Sequence, residues 1–395
     1  MLLEYPNKKN EQAILDPNGR GSLKKITLVE SKNKLIHGDN LHVLKCLLYD
    51  YDYRNKVDFI YIDPPFATNN TFKIGTDRAN SISSSHSDHT AYTDDLVGSQ
   101  FVEFLRERLI LLRELMSEKA SIYLHIDYKI GHYIKVLMDE VFGINNFRND
   151  ITRIKCNPKN FSRKAYGNIK DLILFYTKTD SYVWNEPKED ITDNDVSRLF
   201  KKIDKNGKRY TTVPLHAPGE TKDGPTGQPW RGVAPPKGRH WRSDPKVLDE
   251  LDRAGLIEWS SNDVPRKKIF AEDAEANGKK IQDIWEYKDP QYPTYPTEKN
   301  IELVNLLISA SSNEGDLVMD CFSGSGTTLV SANLHNRTWI GIDQSKHAIE
   351  VSQKKLNKIE SSFFSCSSFE YWELDADTSP ELMQPNGEKY QNSLM

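Results

Sequence analysis

The sequence has no apolar run of about 18 residues, so no segment is expected to cross a membrane as a helix. Residues 1–20 are polar and lack an apolar signal core, which argues against export. Cysteine is scarce. Cys46, Cys156, Cys321 and Cys366 lie far apart, which excludes a disulfide framework, a CxxC redox pair and a CxxC-based zinc site. The histidines, His37, His42, His86, His89 and His125 among them, show no clustered ligand spacing, so they read as loop or packing residues and no metal is expected. No GxxxxGK[ST] loop is present, so helicase-type triphosphate chemistry is not expected. No carboxylate–lysine cluster of the nuclease kind stands out either. Neither sign of charge dominates, the net being −4. What remains is a cytoplasmic, reduced, globular protein whose 395 residues are enough for more than one domain.

The charge is unevenly distributed. Residues 151–290 carry 27 basic and 22 acidic residues, a local +5 that leaves −9 for the flanks. Arg153, Lys155, Lys159, Arg163, Lys164 and Lys170 follow one another without an acidic residue between them. Five of the seven tryptophans, Trp184, Trp230, Trp241, Trp259 and Trp285, also fall in 151–290. A basic, tryptophan-rich middle suits contact with a polyanion, and a solvated basic face is the competing reading.

Apolar periodicity outlines the fold. Strands are expected at 34–36, 57–62, 121–126, 172–176, 317–319 and 339–342, and helices at 41–48, 101–119, 130–142, 298–310, 326–335 and 346–359. Residues 67–95 are rich in Asn, Ser, Thr and His and form a loop long enough to be functional or disordered. Residues 185–284 have weak periodicity and many prolines and glycines. Strands alternating with helices on both sides of this insert predict one α/β domain assembled from two distant stretches. The expected divisions are an arm over 1–33, one half-domain over 34–184, the insert over 185–284, the second half-domain over 285–360 and a polar tail over 361–395.

Two motifs carry chemistry. In Asp320-Cys321-Phe322-Ser323-Gly324-Ser325-Gly326-Thr327, a strand runs into a glycine turn and then a helix start. Gly324 and Gly326 let backbone N–H groups approach a ligand. Asp343, 23 residues after Asp320, ends the next strand, where ribose hydroxyls are bound in such folds. The third glycine of GxGxxG is missing, so a nucleoside without phosphates fits better than a pyrophosphate. Asp63-Pro64-Pro65-Phe66 follows a buried strand directly. The prolines remove two backbone donors and fix φ, leaving a carboxylate, a rigid carbonyl and an aromatic plane together. That set suits gripping an exocyclic amino group while its base stacks on Phe66.

Taken together, these motifs resemble the amino-group DNA methyltransferases that use S-adenosylmethionine, in the β-class order with the catalytic tetrapeptide first. The likeness covers about 34–180 and 285–355. It includes His37-Gly38-Asp39-Asn40, Tyr92-Thr93-Asp94-Asp95, His125-Ile126-Asp127, the strand within 168–178 and Tyr295-Pro296-Thr297-Glu298-Lys299. Phe66 stands where Tyr is commoner, Cys321 where Pro is common and Asn300 where Pro often follows.

The resemblance implies a Rossmann-like, twisted, mostly parallel sheet with helices on both faces and an inserted target-recognition region. It implies methyl transfer to N6 of a flipped-out adenine, with N4 of cytosine as the alternative. An RNA methyltransferase or a non-catalytic relative fits less well. Asp63, Pro64, Pro65 and Phe66 would be catalytic. Asp39, Thr297, Glu298, Lys299, Asp320, Phe322, Gly324, Gly326, Thr327 and Asp343 would hold the cofactor. Lys155, Lys159, Arg163 and Lys164 are expected at DNA. Double-stranded DNA is the expected partner, with a separate restriction subunit and a homodimer compatible with the reading. Covalent C5-cytosine chemistry is disfavoured because no cysteine follows a proline.

Overall fold

The computed structural model describes residues 2–64, 71–74, 79–80, 89–93, 98–158, 164–262, 264–293, 295, 298–360 and 368–375. They form two compact units, Met1–Glu186 with Gln282–Met395, and Pro187–Ile281. Among the described residues no helix is long and apolar enough to cross a membrane.

The first unit is built on one sheet. Its strands are β1 (Ser22–Lys25), β2 (Asn33–His37), β3 (Val57–Ile62), β4 (Met116–Ile126), β5 (Phe147–Ile154), β6 (Lys170–Thr177), β7 (Ile284–Trp285), β8 (Leu317–Asp320), β9 (Thr338–Asp343) and β10 (Phe369–Asp375). The order is β1-β10-β2-β9-β8-β3-β4-β6-β5-β7. From β10 through β4 every pairing is parallel, whereas β6 runs antiparallel to both neighbours. Val57, Phe59, Ile60 and Ile62 of β3 are fully buried, as expected of a strand covered on both faces.

The longer helices are α1 (Asn40–Tyr49), α2 (Ser99–Leu115), α3 (Gly131–Phe142), α4 (Ile301–Ser311), α5 (Thr327–Leu334) and α6 (Lys346–Glu360), and a single turn spans Glu11–Ile14. Asp39 caps α1 by accepting from Leu41 N, and Asn300 caps α4 by accepting from Glu302 N. The second cap explains why that helix begins later than its expected residue 298: Asn300 has β-type φ and ψ.

Several expectations need correction. Residues 1–33 are no free arm. Ile14 is buried in the main core, and β1 pairs with β10. Residues 361–395 are not a polar tail throughout, because β10 lies between β1 and β2 in the sheet. Trp372 and Leu374 pack against the core, and the serine-rich composition around them hid that short strand. The span 67–95 holds the antiparallel strands Thr71–Ile74, Ala79–Asn80 and His89–Thr93.

The second unit, expected as 185–284, has a four-stranded antiparallel sheet in the order Lys202–Ile203, Arg209–Pro214, Pro265–Phe270, Ile257–Trp259. A ribbon of His216–Pro218 and Arg239–Trp241 and the helix Pro245–Arg253 complete it. Trp230 and Trp241 are buried in its small core with Leu215, Leu248 and Ile257. Trp259 stacks on Trp230 with centroids 5.3 Å apart. These tryptophans are packing residues here, which removes them from the polyanion argument.

Candidate active site

Four parallel strands end side by side. His37 of β2 pairs with Asp343 of β9, Gly341 of β9 with Asp320 of β8, and Met319 of β8 with Ile60 of β3. The chain therefore delivers Asp39, Asp343, Asp320 and Asp63 to the carboxyl edge of the sheet, where α/β folds bind ligands. All four line one pocket, together with Tyr295 and Phe322.

The glycine turn is held from beneath by carboxylates. Asp320 accepts from Phe322 N at 2.9 Å and from Thr328 Oγ1 at 2.6 Å. Burial pushes Asp320 up to about 7 against the pull of those hydrogen bonds. Asp343 accepts from Gly324 N and Ser345 N, both at 2.8 Å. Burial raises its pKa as well. Gly326 has φ 76°, and a Cβ there would lie 2.7 Å from Ser352 Oγ, so only glycine fits. Thr327 then opens α5. Ser323 Oγ is buried with no hydrogen-bond partner and faces the same pocket.

Beside the turn lies a set that sequence reasoning missed. The Arg108 guanidinium is buried, 3.6 Å above the Phe104 ring centroid, and reaches Asp39 Oδ2 at 3.3 Å. It also donates to Asn40 Oδ1, and Asn40 Nδ2 donates to Cys321 O at 2.7 Å. Burial lowers the Arg108 pKa, with Asp39 and Glu107 opposing. Asn40 stood in the quoted His-Gly-Asp-Asn element, but nothing local marked Arg108 within an amphipathic helix.

Asp63 leaves β3 with its two oxygens treated differently. Oδ2 forms an ion pair with Lys299 Nζ, while Oδ1 is buried without a hydrogen-bond partner among the described residues. Pro64 is described, whereas Pro65, Phe66 and Thr297 lie outside the described residues. Glu298 forms an ion pair with Lys355 of α6.

Behind the pocket wall runs a buried polar chain. Tyr61 Oη and His125 Nδ1 are 2.9 Å apart, and His125 Nε2 lies 3.3 Å from Asp171 Oδ2. Asp171 Oδ1 accepts from Lys155 Nζ at 2.6 Å, and Arg153 Nη1 lies 3.5 Å from Oδ2. Burial pushes the His125 pKa down. For Asp171, burial pushes up, but the bonds to His125 and Lys155 outweigh it and hold the carboxyl well below its usual range.

This chain corrects the reading of the basic stretch. Lys155, expected at DNA, is ion-paired with Asp171, and Arg153 is 1% exposed, paired with Asp289 at 2.5 Å. Both side chains, Arg153 on β5 and Lys155 just beyond it, meet carboxylates supplied by neighbouring segments of their own unit. Lys164 is exposed; Lys159 and Arg163 lie outside the described residues.

The DNA methylase family that groups N6 and N4 enzymes matches residues 57–354. The type II methyltransferase M.EcaI of Enterobacter cloacae is 38% identical over 368 residues, covering 90% of this chain and 77% of that protein. The Mod subunit of the type III restriction-modification enzyme EcoP15I of Escherichia coli is 26% identical over 370 residues, covering 78% of this chain and 57% of its own length. Among solved structures, the M1.HpyAVI–SAM complex aligns over 82% of this chain and 98% of its own, at 18% identity and TM-score 0.44.

Proposed function

The chain belongs to the N6/N4 family of DNA methylases, and we propose that it transfers a methyl group from S-adenosylmethionine to N6 of adenine in double-stranded DNA. The observation that carries the reading is Asp63 Oδ1, a buried acceptor lining the pocket and without a hydrogen-bond partner among the described residues. The amino lone pair of adenine is delocalised into its ring. Asp63 Oδ1 and the Pro64 carbonyl accept its two N–H bonds and draw electron density onto the nitrogen. These bonds strengthen as the nitrogen becomes positive, so they act mainly in the transition state. The base must leave the helix stack to reach them, at about a few kcal/mol, and stacks on Phe66.

The pocket also suits the methyl donor. Among the described residues it is lined by five acidic side chains, Asp39, Asp63, Glu298, Asp320 and Asp343, of which Arg108, Lys299 and Lys355 pair with three. That excess of carboxylate favours a cationic nucleoside without phosphates. When bound, S-adenosylmethionine supplies an electrophilic methyl group on a sulfonium. Asp343 would hold its ribose hydroxyls, Asp39 and Phe322 would lie toward its adenine, and Glu298 toward its methionine end. Asp320 positions the turn through the bonds that its oxygens accept from Phe322 N and Thr328 Oγ1.

The choice of adenine rests on the Asp-Pro-Pro-Phe corner, and N4 of cytosine is the alternative product. The unit at 187–281 reads the target sequence, and likeness to a Mod subunit supports a separate restriction subunit as partner. The test is incubation with duplex DNA and a labelled methyl donor, followed by nucleoside analysis. N6-methyladenine is expected and should vanish in Asp63→Ala. N4-methylcytosine would overturn the choice of base, and label on RNA alone would overturn the substrate.

A further inference from the structure

Some cations in the second unit are already neutralised within the fold, and others are not. Lys202 pairs with Glu258, Lys208 with Glu272, Arg231 with Asp249 and Asp252, and Lys279 with Asp195. Arg239, Arg242 and Arg266 have no carboxylate within ion-pair distance among the described residues. Yet they stand together. Arg239 Nη1 lies 3.2 Å from His216 Nδ1, and Arg242 Nε donates to His216 O at 3.2 Å. Arg266 donates to Thr212 Oγ1 at 2.9 Å and Thr212 O at 2.8 Å. All three guanidiniums act on the His216 imidazole and, after burial, lower its pKa.

Gathering like charges around one point opposes folding unless an anion arrives. The scaffold under them is rigid nonetheless. Arg239 and Arg242 flank Trp241, which is 1% exposed and donates from Nε1 to Gln228 O at 2.9 Å. Trp241 packs with Trp230 and Leu248 in the core of the unit. The ribbon His216–Pro218/Arg239–Trp241 is thereby fixed, with Arg239 and Arg242 exposed. Planar guanidiniums held in place with N–H groups to spare match phosphate oxygens.

We infer that Arg239, Arg242 and Arg266, gathered around His216, form the site at which this unit grips the phosphate backbone of duplex DNA. The inference rests on the methylase reading above and gives it a contact surface other than the stretch 153–170, where Arg153 and Lys155 are neutralised internally. A polyanion is favoured over a small anion because the cations are spread along the chain path of strand Arg239–Trp241, the residue that follows it and strand Pro265–Phe270.

The test uses the full chain with Arg239→Ala and Arg242→Ala combined, and binding to duplex DNA at several salt concentrations. Unchanged thermal unfolding and cofactor binding establish that the variant is folded. The log–log salt slope should fall by about 1.8, two contacts at about 0.9 each. The fall should be equal on target and random duplexes, since phosphate contacts carry no sequence information. The double Arg→Lys variant should restore the slope. An unchanged slope, or a lysine variant as impaired as the alanine one, overturns the inference. If the unaltered enzyme methylates DNA while the alanine variant keeps its slope, only this inference fails. If the unaltered enzyme binds no DNA, both readings fail.

Discussion

Lys299 neutralises Asp63 through one oxygen and leaves the other, Oδ1, buried and without a hydrogen-bond partner among the described residues. The two side chains are 9% and 14% exposed, so the pair is largely shielded from water. It ties the segment before α4 to the end of β3 and fixes the plane of the carboxylate. An acceptor aimed in advance costs less reorganisation when the amine arrives. Lys299 thus serves the acid directly, although the family resemblance had put it at the methionine end of the cofactor.

Lys299→Met should leave Asp63 ionised in a poor solvent, and breaking such a pair from one side costs about 3–5 kcal/mol. Urea denaturation should show a loss of that order. Combining it with Asp63→Ala should cost less than the sum, because the stranded charge is gone. Strict additivity would mean that the pair contributes nothing.

Asp63→Ala should abolish methyl transfer while calorimetry still detects S-adenosylmethionine binding. The glycine turn takes its bonds from Asp320 and Asp343 and does not depend on Asp63. Equal loss of binding and turnover would mean that Asp63 also holds the cofactor.

Asp343→Ala should weaken cofactor binding at least tenfold, about 1.4 kcal/mol or more. Two effects add: the ribose loses its acceptor, and Gly324 N loses the 2.8 Å bond that shapes the turn. An unchanged dissociation constant by calorimetry would remove Asp343 from the site.

The pH dependence of stability should carry the mark of Asp320. Its native pKa, near 7, is above that of the unfolded chain, so the folded state binds the extra proton between roughly pH 4 and 7. Stability should fall as pH rises through that window and level off above it. Asp320→Asn removes the charge and keeps the bond accepted from Phe322 N, while the Thr328 contact reverses, with Nδ2 donating to Oγ1. It should flatten this limb, which at about 1.4 kcal/mol per pKa unit is worth up to about 4 kcal/mol. Denaturation midpoints measured from pH 4 to 8 decide the matter, and parallel curves for the two proteins would count against it.

What was legible in the sequence was local. The strand at 57–62, the glycine turn and its helix, and Asp343 at the end of its strand could be read because each is written in consecutive residues. The Tyr61–His125–Asp171 chain could not, since its members lie on three strands and only β3-β4-β6 pairing brings them together. Arg108 was hidden for the same reason: its partners Asp39 and Asn40 are 69 and 68 positions away. The basic run 153–170 misled because composition does not say which cations already have partners inside the fold. The short strand β10 was lost in averaging over a polar segment.

The basic run also yields a direct contrast between two kinds of lysine. Lys155 is bonded to Asp171, whose carboxyl is 4% exposed, whereas Lys164 is exposed. Asp171 has a native pKa depressed below the unfolded value. Its stabilising contribution is complete above about pH 4, the ordinary carboxylate value, and is lost as pH falls toward the depressed one. Lys155→Met removes one of the interactions that lower it. The variant should lose about 1–3 kcal/mol at neutral pH and begin acid unfolding at a higher pH. Its salt slope for DNA binding should not move, because Lys155 Nζ is already bonded within the fold. Alanine at Lys159, Arg163 and Lys164 together should do the reverse: unchanged unfolding, and a slope lower by as much as about 2.7 if each of the three meets a phosphate. Thermal unfolding and salt-dependent binding on the same two proteins separate the cases. If Lys155→Met lowers the slope and spares stability, Lys155 leaves Asp171 for the DNA backbone, and the internal ion pair is not what fixes β5 against β6.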